Sequence, residues 1–196
     1  MNAAAPMPPT LTLLRHPRPD APDGLCYGRT DLEALALDEQ RLFDELAATL
    51  TPQRLVSSPA LRCRGIAERL GRHWQRTCEI EPRLQEIDFG RWEGLAWERV
   101  PRHELEAWAR RPLDHEPGGG ESLRRMERRL RAWAADAAAL RMDLLAVTHA
   151  GPMRLLATLG RGAPLDAVLD TPAPGFGQAL RLPLDRFGPP PLQDRR

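Results

Sequence analysis

Short apolar runs alternate with stretches of helical period along most of the chain. Thr10 to Leu14 (Thr-Leu-Thr-Leu-Leu) reads as a buried strand. Phe43, Leu46, Ala47 and Leu50 then recur at i, i+3, i+4 and i+7, the spacing that lines one face of an amphipathic helix. Arg54 to Ser57 is a short strand candidate. It leads into Ser58-Pro59, which reads as the N-cap and first-turn pair of a helix with Cys63, Ile66, Ala67 and Leu70 on its apolar face. Thr77 to Ile80 is a further strand candidate, ended by Pro82. Leu123, Met126, Leu130, Trp133, Ala137 and Leu140 mark a long helix, and Leu144 to Thr148 a second strongly buried strand. Gly151-Pro152 opens another helix, and Gln178 to Leu184 alternates apolar and polar residues as an edge strand does.

Strands that alternate with helices pair in parallel and carry helices on both faces. The expected fold is therefore α/β: a three-layer α/β/α sandwich with a mostly parallel central sheet, in one domain over residues 10–187. Residues 90–120 fit this alternation least. They hold Trp92, Trp97 and Trp108 and then Pro117-Gly118-Gly119-Gly120, and read as a helical and loop insertion near the site. Residues 1–9 read as a flexible leader, and residues 188–196, with three successive prolines, as a flexible tail.

Composition narrows the function. With 196 residues, 42% of them hydrophobic, the chain can bury one sizeable core. A net charge of +1 removes the electrostatic case for a nucleic-acid partner. No apolar run approaches the roughly 18–20 residues of a membrane span. Met1 to Pro9 lacks the basic-then-apolar layout of a secretory signal, so a cytoplasmic location is expected. Cys26, Cys63 and Cys78 are an odd number without paired spacing, which argues against a disulfide framework and a structural zinc site. No His, Cys or carboxylate spacing suggests a metal cage, so neither metal nor cofactor is expected. The sequence contains no Lys. Any anion site must then be built from Arg, whose guanidinium grips phosphate through a bidentate fork.

Open parallel sheets bind ligands beyond the carboxyl ends of their strands. The sequence puts Arg15-His16 there after the first strand, Ser57-Ser58-Pro59 with Arg62 one turn on, and His149 after the strand at 144–148. Helix N-termini at Ser58 and Gly151 are expected to aim backbone N–H groups at the same place. Such a set forms an anion site, and phosphate is the anion that suits it. Elsewhere, His73, His103 and His115 read as surface residues and Cys63 as packing. Arg124, Arg125, Arg128, Arg129 and Arg131 read as a solvated helix face, and Glu121 as the capping carboxylate that starts a helix.

The same residues carry a resemblance. Leu13-Leu14-Arg15-His16, followed by Cys26-Tyr27-Gly28-Arg29-Thr30-Asp31, resembles the opening signature of the histidine phosphatase superfamily, which has a phosphoglycerate mutase-like fold. Ser57-Ser58-Pro59-Ala60-Leu61-Arg62 is similar to the second signature, and Leu84-Gln85-Glu86-Ile87-Asp88-Phe89-Gly90-Arg91-Trp92-Glu93-Gly94 to the acid-bearing loop. Gly120-Glu121-Ser122 and Thr148-His149-Ala150-Gly151 resemble the last two. The resemblance implies that His16 is a nucleophile that becomes phosphohistidine. It implies that Arg15, Arg62 and His149 form the phosphate pocket, with Tyr27 and Arg18 as further substrate contacts. Glu86 would protonate the leaving oxygen, since an alkoxide departs poorly without a proton. Asp88 and Glu93 compete for that role and otherwise read as surface charge. Arg18 enters because Pro17 stands where most members have Gly, and Pro17 has no N–H to offer phosphate.

Arg-His-Pro together with Cys-Tyr-Gly-Arg looks more like the bacterial branch near α-ribazole phosphatase than like the mutases. The implied activity is metal-independent hydrolysis of a small phosphorylated metabolite, with α-ribazole 5′-phosphate of cobalamin biosynthesis as the leading candidate. The alternatives are a phosphoglycerate mutase-type phosphotransferase and a catalytically silent module that binds a phosphorylated ligand. The oligomeric state stays open, a homodimer among the options.

Overall fold

The strands β1 (Thr10–Arg15), β2 (Arg54–Ser57), β3 (Cys78–Ile80), β4 (Leu144–Thr148) and β5 (Ala179–Pro183) form one sheet in the spatial order β3-β2-β4-β1-β5. The computed structural model describes residues 8–188. The expected leader and tail lie, apart from residues 8, 9 and 188, outside the described residues. β1 pairs with β4, β4 with β2 and β2 with β3 in parallel, while β5 runs antiparallel along the β1 edge. This is the mostly parallel α/β sheet expected from the strand–helix alternation.

Side-chain alternation decides which layer each strand residue feeds. Leu11 and Leu13 of β1, Val56 of β2 and Leu144 and Ala146 of β4 face one way. They pack against α4 (Leu123–Ala139), through Met126, Leu130 and Trp133, and against α5 (Ala150–Gly160), through Met153 and Leu156. Leu14, Leu55, Leu145 and Val147 face the other way. They meet Leu42 and Leu46 of α1 (Ala36–Thr49) and Cys63, Ile66 and Leu70 of α2 (Leu61–Trp74). Both faces are thus covered, and central β4 is buried along its whole length. Each fully buried Leu contributes roughly 1.5–3 kcal/mol by leaving water.

Two local expectations need correction. Ser58-Pro59 does not start α2; the helix begins at Leu61 with Ala60 as its N-cap residue, and no side chain of Ala60 caps it. Ser58 is drawn away because its hydroxyl has a partner in the site. Glu121 does not cap α4 either. Ser122 is the N-cap and accepts the Arg125 N–H, which frees Glu121 for an ion pair.

Residues 90–120 form short 3-10 turns at Gly90–Trp92, Trp97–Arg99 and Pro117–Gly119, with the helix α3 (Arg102–Arg110) among them. Trp92, Trp97, Trp108 and Phe89 pack mutually, Trp97 and Trp108 stacked at 6.3 Å, to make a small third core with Cys26 and Val100. Gly118 shows why this segment is rich in glycine. Its φ is +60°, and a Cβ there would lie 2.1 Å from the Phe89 carbonyl. The chain can therefore lie directly on the loop that carries Glu86. No helix among the described residues is long and apolar enough to cross a membrane.

Candidate active site

β1 and β4 are adjacent and parallel, so their carboxyl ends deliver His16 and His149 to one spot. The rings lie 5.1 Å apart, edge to face, and both are buried. The His16 N–H donates to the Thr148 carbonyl at 3.0 Å, which locks the strand ends in register. The ring Nδ1 of His16 lies 2.6 Å from the Pro17 carbonyl. A carbonyl only accepts, so Nδ1 carries the proton and Nε2 keeps its lone pair. Pro17 offers no N–H, yet its carbonyl fixes this tautomer.

Both imidazoles are held neutral. Burial first, then the Arg62 charge, pushes the His16 pKa down from 6.5 to about 3, against the Pro17 hydrogen bond. His149 is driven well below its ordinary value, again by burial and then by Arg62, with His16 and the other guanidinium groups adding. The His149 Nε2 pairs with the Ser58 hydroxyl at 2.8 Å, and the Cys63 thiol lies 3.6 Å from the same nitrogen.

Arg62 is fully buried, and among the described residues no carboxylate forms an ion pair with it. Its Nη1 and Nη2 donate to the carbonyls of Thr30 at 2.8 Å and Gly28 at 2.6 Å, and the Tyr27 ring lies 5.3 Å away. Arg15 donates to the Pro174 carbonyl at 2.6 Å and stacks on Phe176 at 3.9 Å. The Nε of each of these two guanidiniums is buried with no hydrogen-bond partner. Buried donors without partners are rare because each costs roughly 1–3 kcal/mol. Two such donors on two cations make a receptor for an oxyanion.

Glu86 sits at the start of α5, where its Oε1 accepts the Ile87 N–H at 2.9 Å and its Oε2 the Gly151 N–H at 3.0 Å. Position 151 admits Glu86 only as glycine, since a Cβ there would lie 2.1 Å from Oε1. At the helix starts, the Gly151 N–H is taken by Glu86, and the Leu61 N–H of α2 by Asp31 at 2.8 Å.

Other expectations resolve as follows. Arg18 is 56% exposed, faces Asp38 at 3.9 Å and lies 5.5 Å from the ring of Phe176, the residue that stacks on Arg15. His73 and His103 are exposed, and Asp88 turns back to the Gly90 N–H. Glu93 is not ordinary surface charge. It accepts the N–H groups of Gly28, Arg29, Thr30 and Phe89 at 2.9–3.1 Å, and the Thr30 hydroxyl as well. Burial opposes its ionisation, but these donors outweigh it and hold its carboxyl below the ordinary value. Glu93 thereby shapes the loop whose Gly28 and Thr30 carbonyls hold Arg62. Arg129 is not part of a solvated face. It pairs with buried Glu121 at 2.7 Å and donates to the carbonyls of Arg83, Gln85 and Glu86, clamping the loop that presents Glu86. Among the described residues no group of three or more His, Cys, Asp or Glu is placed to hold a metal ion.

The fold is α/β, and at the carboxyl ends of its parallel strands two buried imidazoles gather with the guanidinium groups of Arg62 and half-buried Arg15. The model of the histidine phosphatase superfamily (branch 1) matches residues 11–175, and the chain belongs to that family. No curated protein matches it. Among solved structures, a mycobacterial glucosyl-3-phosphoglycerate phosphatase is 24% identical, covers 88% of this chain and 89% of its own, and superposes with a TM-score of 0.78. A putative α-ribazole-5′-phosphate phosphatase from Escherichia coli is 22% identical, with 89% of each chain covered and a TM-score of 0.78. The α-ribazole phosphatase from Shigella flexneri is 23% identical, covering 88% and 89%, with a TM-score of 0.77. At these identities the likeness concerns the fold.

Proposed function

We propose that this chain is a phosphomonoesterase that works through a phosphohistidine at His16. The observation that carries this reading is His16 itself. Its proton is held on Nδ1 by the Pro17 carbonyl, its ring is kept neutral, and two unpartnered guanidinium N–H groups belong to cations close enough to depress its basicity.

In the first step Nε2 attacks phosphorus, an N–P bond forms and the P–O ester bond breaks. The leaving oxygen takes a proton from the Glu86 carboxyl. In the second step water attacks phosphorus, passes a proton to the Glu86 carboxylate, and the N–P bond breaks to release phosphate. Phosphoryl transfer spreads charge over the equatorial oxygens, so positioned cations supply most of the stabilisation. Arg15 and Arg62 are those cations. His149, with Nε2 fixed by Ser58, faces the same group.

The leading substrate is α-ribazole 5′-phosphate. It is supported by the Arg-His-Pro and Cys-Tyr-Gly-Arg pattern and by the likeness in fold to two proteins described as α-ribazole phosphatases. The test is steady-state hydrolysis of α-ribazole 5′-phosphate and p-nitrophenyl phosphate beside interconversion of phosphoglycerates. Hydrolysis of the first two, lost in His16→Ala, supports the reading. Phosphoglycerate interconversion without net hydrolysis overturns it in favour of a mutase.

A further inference from the structure

Beside Glu86 and Gly151 lies a cavity of about 260 Å³ that the reaction steps above leave unused. Its position constrains its occupant. If Glu86 gives a proton to the leaving oxygen, the group attached to that oxygen has to lie next to Glu86, where this cavity opens.

The walls state the chemistry. Ile87, Phe89, Trp108, Leu123, Met126 and Leu169 supply large apolar side chains to the lining. Trp108 is braced by Phe89 at 6.0 Å, Trp92 at 5.8 Å and Trp97 at 6.3 Å, so it presents a fixed aromatic wall. Leu169 stays 47% exposed at this cavity, an apolar side chain that no core covers. The cation in the lining, Arg154, has its Nε and Nη2 occupied by backbone carbonyls. Its Nε donates to the Thr171 carbonyl at 2.6 Å, and its Nη2 to those of Val168 at 2.7 Å and Leu169 at 3.0 Å. A carboxylate entering here would lose its water and meet apolar carbon. An uncharged ring would bury its surface against Trp108 and the aliphatic groups.

We propose that this cavity is the leaving-group pocket and that it takes an uncharged ring system carried by the departing alcohol, discriminating against alcohols that carry a carboxylate. The proposal rests on the phosphatase reading of the site. It also gives Trp108 and Leu169, both outside the phosphate-binding group, a part in specificity.

The experiment compares kcat/KM for three unactivated alkyl esters, 2-phenylethyl phosphate, glycerol 1-phosphate and 3-phosphoglycerate, on the full chain. The expected order puts the phenylethyl ester about tenfold or more above the glycerol ester, with 3-phosphoglycerate lowest. Leu169→Asp, a change at an exposed position that the fold tolerates, should shrink the phenylethyl-to-glycerol ratio several-fold. Trp108→Leu should shrink it further, chiefly through KM. Hydrolysis of all three esters at similar rates, or a preference for 3-phosphoglycerate, overturns the pocket and leaves the phosphatase standing. A ratio unmoved by both variants does the same. Failure to hydrolyse any of the three while p-nitrophenyl phosphate is hydrolysed overturns the pocket alone; failure with p-nitrophenyl phosphate and α-ribazole 5′-phosphate as well overturns the phosphatase reading, and the pocket assignment falls with it.

Discussion

Gly151→Ala isolates the function of Glu86 from the stability of the fold. A Cβ at position 151 would lie 2.1 Å from Oε1 of Glu86, where ordinary contact needs well over 3 Å. The obstacle is the far end of a flexible side chain, so the carboxylate moves and the backbone stays. The shift has to exceed about 1 Å, and it removes or weakens the bond from the Gly151 N–H to Oε2, now 3.0 Å. A misplacement of that size costs up to about 10²-fold in rate. Stability responds weakly. Losing a hydrogen bond to a charged group costs roughly 1.5–3 kcal/mol. Replacing Gly by Ala near the start of α5 returns up to about 1 kcal/mol, leaving a net loss of roughly 0.5–3 kcal/mol. The assay is kcat/KM for an alkyl phosphate and for p-nitrophenyl phosphate, with urea unfolding alongside. The alkyl ester needs its leaving oxygen protonated and should slow by one to two orders of magnitude. The aryl ester, whose leaving group departs as the anion, should slow only a few-fold. Equal slowing of both esters would remove Glu86 from the acid role, and an unchanged alkyl rate would show that its position does not matter.

Glu93→Gln should destabilise the fold and weaken phosphate binding together. Either amide orientation turns an NH2 group toward backbone donors and leaves at least one of them unmatched, which amounts to roughly 1–3 kcal/mol after allowing for the partial exposure of the site. Urea unfolding and inhibition by inorganic phosphate measure the two effects; loss of stability with phosphate affinity intact would break the proposed link from Glu93 to Arg62. Stability should also fall on acidification. The native His16 titrates at about 3 against an ordinary 6.5, so the unfolded chain binds the proton first as pH drops. The stability is whole above the unfolded value and is lost as pH falls from about 6.5 toward 3. From pH 7.5 to 5.5 the loss is on the order of 1 kcal/mol for His16, and His149, shifted in the same direction, adds to it. Unfolding free energies at the two pH values check this, and a profile that is flat, or equally steep in His16→Asn, would contradict it.

The parts of the molecule legible in the sequence were those set by local pattern. β1 and β4 announce themselves as apolar runs, and parallel pairing then has to bring Arg15-His16 and His149 together at the carboxyl ends. Arg62 was reachable because it stands five residues after β2, in the first turn of the helix that follows. What stayed hidden depends on which distant backbone lies opposite. Glu93 looks like one acid among several until Gly28 to Thr30, 63–65 residues earlier, supply its donors. Arg129 flanks the apolar face of α4 at helical spacing from Met126 and Trp133, and only the loop at 83–86 makes it a clamp. Ser58 has the composition of a helix cap, and its hydroxyl goes instead to His149, 91 residues away. Asp31 then takes over the start of α2. Phe176, stacked on Arg15, gave no sequence signal, since a lone aromatic in a Pro- and Gly-rich loop carries no period.

The central claim is that Nε2 of His16 takes the phosphoryl group. Rapid quenching of the enzyme during turnover of a labelled phosphomonoester, followed by peptide mapping, tests it directly. The account predicts at most one phosphoryl per chain, on His16, labile to acid and stable to base as a phosphoramidate is, and absent from His16→Ala. Label on another residue, or full turnover in His16→Ala, would contradict it.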